Sequence, residues 1–486
     1  MTQFSRRQFL GNSALAAAAA AVSSIPVLGS ELRRPTGAND RLRIAVIGVK
    51  GRGLEHVSQW VKMPDVEIAA ICDIDENQIH GANERIEKAT GKKPAYFKDL
   101  RKLFEDKSID AVSIATCNHW HSLAGIWAVQ SGKCAYVEKP ISHNMFEGRK
   151  LVEAAEKHKK VVAVGTQCRS MKGMREAMAF LHSGKLGKVK VARGFCYKSR
   201  KSIGHTPEGQ VPEGVDYDIW LGPAPVRPFS KNRFHYNWHW FWDTGNGDLG
   251  NQGVHQVDIA RWGINKNEHP LSTVSVGGRL GYQDDGETPN TQITVQDYGD
   301  VQMIFEVRGL DTPKYMANQD KSAGVLVGDV FECTEGVLVV PTYSSAIAYT
   351  PKGELIQRFA GGEDSAHFRN FIDAVKAGKQ EMLNAPALEG HYSAAACHLS
   401  NISYRVGTPK PLTTENPFGK IEAANETYRR FRDHLKENGV TLEKTSFVMG
   451  REIKVDSKAE TITGDPEASK LLTREYRTPY VVPENV

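Results

Sequence analysis

The 486-residue sequence has no long block of Lys or Arg, and its charge is nearly balanced. It holds 62 Lys and Arg against 57 Asp and Glu, which leaves a formal net charge of +5. Part of that excess lies near the N-terminus, as in the Arg6-Arg7 pair. Nucleic-acid-binding proteins normally concentrate basic residues on one surface. The sequence therefore argues against a nucleic-acid partner.

Cysteine is scarce, and no pattern of metal ligands is present. The seven cysteines are scattered and mostly lie in apolar runs such as "AAICDID" (69–75), which predicts buried thiols rather than disulfides. Two histidine pairs, His119 with His121 and His235 with His239, have no carboxylate or cysteine at a recognisable ligand spacing. We therefore predict no metal site.

The alanine-rich apolar stretch near the N-terminus is too short and too weakly hydrophobic for a stable membrane span. It follows the basic segment "SRRQFLG" (5–11) and ends in small residues, an order typical of a secretory signal. The paired arginines followed by Phe9-Leu10 resemble the twin-arginine type. We expect residues 1–30 to be a twin-arginine signal peptide that directs the protein to the periplasm or beyond. The alternative is a disordered Ala-rich extension.

The spacing and type of the apolar segments divide the chain into regions of different predicted structure. No repeat of fixed period is present. Residues 41–168 alternate strand-like runs with helical patterns, which predicts a doubly wound parallel sheet. A Gly/Pro/aromatic stretch at 198–247 is predicted to be irregular. Several β-type runs without intervening helices then predict a mostly antiparallel sheet in a second α+β domain, 169–410. For 411–486 we expect one helix and an extended tail.

The segment "AVIGVKGRGLEH" (45–56) follows a strand-like run and opens a helical pattern. It nearly matches the G-x-G-x-x-G turn that binds a dinucleotide pyrophosphate. Gly48 and Gly53 keep the turn and the helix–strand packing roles, whereas Lys50 replaces the middle glycine. Gly51 restores flexibility beside it, and Lys50 with Arg52 adds positive charge near the expected anion, at the N-terminus of a helix.

Asp73 stands 25 residues after Gly48, at the end of the second predicted strand. A carboxylate at this position is suited to hydrogen-bonding the adenosine ribose hydroxyls. The next positions, Ile74 and Asp75, offer no cation for a 2′-phosphate, so NAD is favoured over NADP. A tight turn without a ligand is the alternative.

Several separated motifs resemble the Gfo/Idh/MocA (glucose–fructose oxidoreductase/inositol dehydrogenase) family. They are the glycine turn, "ATCNHWH" (115–121), "VEKP" (137–140), "GTQCR" (165–169) and "GNGDLGNQGVHQVD" (245–258). The resemblance covers residues 41 to about 410 and points to an exported branch. It implies a Rossmann domain, an open sheet carrying the substrate face, NAD(P)-linked chemistry on sugars or polyols, and a homo-oligomer.

The resemblance also assigns roles by position. Lys139, before a cis proline, would contact the nicotinamide ribose and the reacting hydroxyl, and His255 would be the general acid/base. Asn251 replaces the aspartate of most members and keeps a positioning role. The remaining residues implied are Thr116, Asn118, His121, Glu138 and Gln167 along the cofactor, and Arg169 near the substrate.

Elementary chemistry agrees with these roles. Oxidation of an alcohol needs a group that takes the hydroxyl proton, and histidine titrates near neutrality. An ammonium such as that of Lys139 would stabilise developing alkoxide charge. Residues four apart on a helix share a face, so Asn251 is placed to bond His255 or the same hydroxyl. A buried capping histidine and a surface lysine are the structural alternatives.

The aromatic-rich segment "NRFHYNWHWFWD" (232–243) offers Trp238 or Trp240 to stack on a sugar ring and His239 to bond its hydroxyls. The alternative is that these rings are structural and pack a loop against the sheet.

Three classes of function remain open from the sequence. The first is a sugar or polyol oxidoreductase, the second an NAD-using glycosidase or lyase that works by oxidation, elimination and reduction, and the third a non-catalytic dinucleotide- or sugar-binding protein. An exported protein meets no free nicotinamide pool, so we expect its NAD to be held tightly and regenerated in place.

Overall fold

A computed structural model describes residues 41–316 and 323–486 of the chain. The proposed signal peptide, residues 1–30, lies outside the described residues. The predicted alternation of strands and helices is present in the first part. The strands of its six-stranded sheet are β1 (Leu42–Ile47), β2 (Val66–Cys72), β3 (Ala95–Phe97), β4 (Ala111–Ile114), β5 (Cys134–Val137) and β6 (Val162–Val164).

All pairings in this first sheet are parallel, in the order β3-β2-β1-β4-β5-β6. Its strands are short apolar runs because helices cover both faces of the sheet. The helices of this part are α1 (Arg52–Trp60), α2 (Ile79–Thr90), α3 (Leu100–Glu105), α4 (Asn118–Gln130) and α5 (Met145–Lys157). The strand order reverses between β1 and β4, and this opens a crevice at their carboxyl ends.

The second sheet has twelve strands and is antiparallel except for the pair β7–β10. Its path runs β14-β13-β12-β11-β7-β10-β9-β8-β16-β15, with β17 also pairing with β8 and β18. The strands are β7 (Val189–Tyr197), β8 (Ser272–Gly278), β9 (Thr291–Asp297), β10 (Gln302–Arg308), β11 (Val327–Cys333), β12 (Val337–Thr342), β13 (Ser345–Tyr349), β14 (Leu355–Ala360), β15 (Thr408–Pro411), β16 (Ser446–Met449), β17 (Ile453–Asp456) and β18 (Thr461–Thr463).

The helices of the second part pack between the two sheets or on their faces. They are α6 (Lys172–His182), α7 (Tyr217–Leu221), α8 (Gly247–Asn251), α9 (Gly253–Gly263), α10 (Asp364–Ala377), α11 (Ala387–Arg405), α12 (Glu422–Glu437) and α13 (Pro466–Ser469).

None of the described helices combines the length and apolar character needed to cross a membrane. All seven cysteines are free and none is fully exposed, in agreement with the predicted thiols.

The stretch 198–247 is mostly irregular, as predicted, apart from the short helix α7 and two 3-10 turns, and it reaches back onto the first sheet. Asp75 forms an antiparallel bridge with Val215, and the amide of Asp216 donates to the carbonyl of Ile74 at 2.9 Å. The stretch therefore closes one side of the crevice beyond β1 and β2.

The C-terminal segment is less separate than the predicted helix and extended tail. Helix α12 packs its apolar face on the second sheet, and β16 to β18 extend that sheet. The end of the chain then returns to the first part, where Tyr480, Val482 and Val486 join its hydrophobic core. Residues 411–486 thus complete the second sheet and the hydrophobic core of the first part.

Candidate active site

A cleft of about 550 Å³ lies at the crevice and has walls from both parts of the chain. Gly48 and Asp73 line it from the first sheet, and Asn251 and His255 line it from α8 and α9. Lys139, which lies just after β5 in the first part, also lines the cleft. The structure therefore brings the three predicted catalytic residues into one cavity with the glycine turn.

The glycine turn needs its glycines for steric reasons. Gly48 has a φ of +78°, and a Cβ there would lie 2.7 Å from the carbonyl oxygen of Ala115. A Cβ on Gly53 would lie only 1.7 Å from the carbonyl oxygen of Gly48, so this residue permits α1 to pack against β1. Gly53 itself is absent from the cleft lining, in keeping with that packing role. Gly51 has a φ of +53° with open space around it.

The lysine at the position of the missing glycine does not block the cleft. Lys50 is exposed and lines the cleft together with Gly51 and Arg52, at the N-terminus of α1. Backbone amides and positive charge at a helix N-terminus favour an anionic ligand.

Asp73 follows β2 at the edge of the cleft. Its carboxylate accepts hydrogen bonds from the amide of Val49 at 2.9 Å and from the amide of Asp75 at 3.0 Å. Burial raises the pKa of Asp73 to about 6, although these two amides oppose the shift. Each carboxylate oxygen retains a lone pair for a further donor, such as a hydroxyl.

A buried charge network joins the glycine turn to the loop after β5. Arg52 donates to Oε1 of Glu138 at 2.7 Å, and Nε2 of His56 contacts the same oxygen at 3.0 Å. Although burial opposes it, Arg52 holds the pKa of Glu138 well below its usual range. Oε2 of Glu138 accepts the backbone amide of Lys139 at 3.1 Å. Glu138 thereby holds the main chain from which Lys139 projects.

Lys139 reaches across the cleft to the second part of the chain. The Lys139–Pro140 bond is cis, as the resemblance implies. The ammonium donates to the backbone oxygen of Asn251 at 2.9 Å and lies 3.4 Å from its side-chain oxygen. Burial lowers the pKa of Lys139, and Glu138 opposes this shift. Asn251, the last residue of α8, therefore contacts the lysine, whereas His255 lies on the next helix, α9, and not on the single helix that the spacing predicted.

His255 is buried at the cleft wall, and its imidazole is neutral at neutral pH. Burial, with a smaller contribution from the nearby Lys139, lowers its pKa to about 3. Its Nδ1 atom has no hydrogen-bond partner among the described residues, and its ring packs 5.0 Å from that of Tyr343. The imidazole is therefore unprotonated, which is the form that a proton acceptor requires, although a pKa this far below neutrality makes it a weak base.

The other residues predicted to line the cofactor lie along the same cleft: Thr116, Asn118, His121, Glu138 and Gln167. Asn118 donates to Oδ1 of Asn246 at 2.9 Å. The ring nitrogens of His121 face the carbonyl oxygens of Pro140 at 2.6 Å and Thr116 at 3.0 Å, so this ring supports the turn after β5.

The aromatic segment contributes to the cleft as well as to packing. Trp238 and His239 both line it, with their rings stacked 3.6 Å apart. The carbonyl of Tyr236 bonds Nδ1 of His239, and burial lowers the pKa of His239 to about 3. Trp240, the second candidate for sugar stacking, is buried and packs under Arg200 outside the cleft lining.

Arg169 does not reach the substrate side of this cleft, contrary to expectation. Its guanidinium makes a bidentate bond to Asp258, at 2.8 to 3.0 Å, and lies 3.0 Å from Glu389. It is only 8% exposed and is absent from the cleft lining. Two carboxylates on neighbouring helices neutralise it, so its role is to hold α9 and α11 together.

Several lining residues escape sequence reasoning. Gln252 adjoins the predicted Asn251 and lies between α8 and α9, so its place in the motif 245–258 is a signal for it. Tyr343 lies in the β12–β13 turn and bonds Gln252, with no motif to mark it. His235 lies 3.4 Å from Asp75, across the cleft from the glycine turn.

Among residues 41–316 and 323–486, one group has an arrangement that could hold a metal ion: His269, His391 and Glu460. Glu460 already accepts from both imidazoles, at 2.8 and 3.1 Å, and from Arg149. Metal-binding histidines normally donate their second nitrogen to an acceptor. Nδ1 of both histidines has no partner, so the group fits an ion cluster better than a metal centre.

Comparisons with known proteins agree with this geometry. The family model for the Gfo/Idh/MocA oxidoreductases, NAD-binding Rossmann fold, matches residues 42–166. The model for the C-terminal alpha/beta domain of the same oxidoreductases matches residues 177–434. Among solved structures, the WlbA dehydrogenase from Bordetella pertussis, in complex with NADH and UDP-GlcNAcA, has a TM-score of 0.55 at 16% identity. The match covers 75% of this chain and 97% of that one, and it shows the shared fold.

Curated relatives match over shorter regions. Glycosyl hydrolase family 109 protein 1 of Shewanella sp. (strain ANA-3) is 37% identical over 154 residues, 31% of this chain and 34% of its own length. An alpha-N-acetylgalactosaminidase of Shewanella oneidensis is 37% identical over 123 residues, 24% of this chain and 27% of its own length. The chain thus spans about a third of these relatives or less. Because the two family models match residues 42–166 and 177–434, the chain belongs to the Gfo/Idh/MocA oxidoreductase family and has its NAD-binding Rossmann domain.

Proposed function

We propose that this protein transfers hydride between a hydroxyl-bearing carbon of a sugar or polyol and a tightly held NAD. The observation that carries the proposal is the meeting of a lysine and a neutral histidine, Lys139 and His255, in the cleft that begins at the glycine turn. Bound NAD would supply the hydride acceptor or donor.

The residues present fit such a cofactor. The turn at Gly48 leaves no room for a Cβ, Lys50 and Arg52 bring positive charge to the N-terminus of α1, and Asp73 retains lone pairs for ribose hydroxyls. Asp75 carries a carboxylate beside this edge, which disfavours a 2′-phosphate. The chain would therefore hold NAD in preference to NADP.

In the proposed reaction, His255 takes the proton of the substrate hydroxyl, and it returns that proton in the reverse direction. The Lys139 side chain donates to the same oxygen and stabilises its developing negative charge. Asn251 holds the lysine, while Trp238 and His239 offer a ring face and a hydrogen-bonding nitrogen to the sugar.

The second candidate is an NAD-using glycosidase or lyase. The names of the family 109 relatives favour it, over the matched regions only. Oxidation at one carbon acidifies its neighbour, which permits elimination of a leaving group. A non-catalytic binding protein is the third candidate, and it differs from both in needing no proton acceptor.

The test starts with purified full-length protein, assayed for nicotinamide absorbance after dialysis. Lys139→Ala and His255→Ala should each lower turnover by a factor of about 100 or more, the scale of one acid–base group, and both should retain cofactor. His80→Ala, at an exposed position on α2, is the matched control and should keep wild-type turnover. Wild-type rates in both cleft variants would refute the assignment.

Substrate panels then separate the candidates. Oxidoreductase activity requires an added acceptor or second substrate once the bound cofactor is reduced. Cleavage of nitrophenyl glycosides with no added acceptor would instead select the glycosidase. Complete loss of NAD on dialysis would overturn the tightly held cofactor.

We also propose twin-arginine export to the periplasm. This route carries folded proteins, so the cofactor could be bound before translocation.

A homo-oligomer remains our proposal from the family resemblance. Because α12 covers part of the second sheet, we expect copies to pair through other surfaces or through the remaining sheet face. Analytical ultracentrifugation measures this directly.

A further inference from the structure

A second cavity, of about 310 Å³, lies apart from the cleft and is built by distant segments of the chain. They are the turn after β5, Pro225, the end of the aromatic segment with Asn246 beyond it, the last turns of α11, and residues 470–475. Its volume is at the lower end of the roughly 300–1,000 Å³ found for small-molecule sites. We name it the C-terminal cavity.

Three cations line the C-terminal cavity: Arg405, Lys470 and Arg474. Arg405 lies 5.1 Å above the ring of Trp242 and, like Lys470, forms no ion pair with another described residue. Burial lowers the pKa of Arg405, and the proximity of Arg474 lowers it further while Asp243 opposes them. Like charges held this close favour an anion between them.

The acidic groups nearby are partly neutralised. Arg227, which is outside the lining, donates to the Asp243 carboxylate at 2.8 Å. Glu147 lies 3.6 Å from Nε of Arg474, on the side of α5, and is itself buried. Glu475 is exposed to solvent. The wall facing the cavity therefore keeps a net positive character.

An unpartnered donor also belongs to this wall. Arg474 donates to Nδ1 of His143, and burial with the adjacent Arg474 lowers the pKa of that imidazole well below its usual range. The single proton of the neutral ring is therefore on Nε2, which is buried and has no partner among the described residues. Nδ1 of His398, another lining residue that is only 4% exposed, is likewise unpartnered. Buried polar groups are normally satisfied, and leaving one unpaired is costly.

We propose that the C-terminal cavity binds a small molecule of about one sugar ring that carries an oxyanion, such as a carboxylate or sulfate. Arg405 and Lys470 are the cations for the oxyanion, His143 lines the cavity beside them, and Trp242, Ile402 and Pro225 provide apolar surface for the ring. Asn401 and Asn246 also line the cavity, and their amides bond other residues, which fixes the shape of this wall.

The C-terminal cavity is distinct from the catalytic cleft. Asn246 stands between them, because it lines this cavity while its side chain bonds Asn118 of the cleft. None of the proposed catalytic residues lines the C-terminal cavity. Binding there can therefore be measured separately from turnover.

The experiment is calorimetric titration of the full-length protein with glucuronate, glucose and inorganic sulfate. We expect glucuronate to bind at least tenfold more tightly than glucose, since one charge-assisted hydrogen bond changes affinity by about tenfold or more. Arg405→Gln should weaken glucuronate binding about tenfold, whereas Asp243→Asn should strengthen it because it removes a negative charge without removing a donor. Sulfate should bind more weakly than glucuronate.

Lys139→Ala and the surface variant Arg429→Gln are the controls, and neither should change glucuronate affinity. Circular dichroism checks that each variant is folded. Loss of binding in Lys139→Ala would place glucuronate in the catalytic cleft and overturn the proposal. So would the absence of any glucuronate binding, affinities unchanged in both Arg405→Gln and Asp243→Asn, or sulfate binding as tightly as glucuronate, which would indicate a site for a free oxyanion.

Discussion

At the scale of single residues, the glycine turn tolerates a side chain at its middle position but not at its last one. Lys50 is exposed and lines the cleft, so this position accommodates a side chain. Gly53 has no such freedom, because the carbonyl of Gly48 occupies the place of a Cβ. The turn therefore depends on its last glycine more than on its middle one.

The first prediction concerns Gly53. Gly53→Ala should lower the free energy of unfolding by about 2 kcal/mol or more, because α1 must move away from β1. Gly81→Ala is the matched control on α2, where a Cβ would meet Leu54 at 3.7 Å, an ordinary contact. That change should be neutral or stabilise by about 0.5–1 kcal/mol. Urea unfolding measures both, and equal effects would contradict the steric argument.

The second prediction concerns Lys50. If its ammonium adds attraction for the pyrophosphate, Lys50→Ala should weaken NADH binding by roughly 2–10-fold, and the loss should shrink at high salt. Fluorescence titration of cofactor-free protein at two salt concentrations measures this. Tighter binding in Lys50→Ala would mean that the side chain obstructs the turn instead.

At the scale of elements, the C-terminal strands are tied to two helices by one carboxylate. Glu460, just before β18, accepts from Arg149 on α5, from His391 on α11 and from His269 before β8. Its charge is surrounded by donors on every side. This cluster joins segments that are far apart in sequence.

The third prediction follows from that cluster. Glu460→Gln should lower the free energy of unfolding by about 1–3 kcal/mol, since it leaves Arg149 without its anion. Glu452→Gln, at an exposed position before β17, should change it by less than about 0.5 kcal/mol. Thermal unfolding should be insensitive to added Zn²⁺ or chelator. A rise in Tm with Zn²⁺ would instead identify a metal centre.

At the scale of the whole molecule, many imidazoles are buried in the neutral form. Burial lowers the pKa of His119, His239, His255 and His398 to about 3 each. Unfolding exposes these rings and restores a pKa near 6.5. Below that pH the unfolded chain binds more protons than the folded one, so the folded state loses stability as pH falls from about 6.5 towards 3.

The fourth prediction is therefore acid sensitivity. Between pH 7.5 and pH 5, each such imidazole should cost roughly 2 kcal/mol of unfolding free energy, at about 1.4 kcal/mol per pH unit below 6.5. Urea unfolding followed by tryptophan fluorescence across this range measures the total. His119→Gln should reduce the slope by about one proton, and His80→Gln should leave it unchanged. A flat profile would show that the rings are protonated in the fold.

The order of apolar runs and turn residues was sufficient to predict the Rossmann sheet, the antiparallel second sheet and the glycine turn at Gly48, because these features are local or periodic. Lys139 and His255 were identified instead through the family resemblance of separated motifs. The sequence could not place Tyr343 in the cleft, Arg169 between Asp258 and Glu389, or residues 470–475 against α11. Such contacts join positions that are far apart in sequence, such as Arg169 with Asp258 or Tyr343 with Gln252, and only the packing of the two sheets and the returning C-terminal segment brings them together.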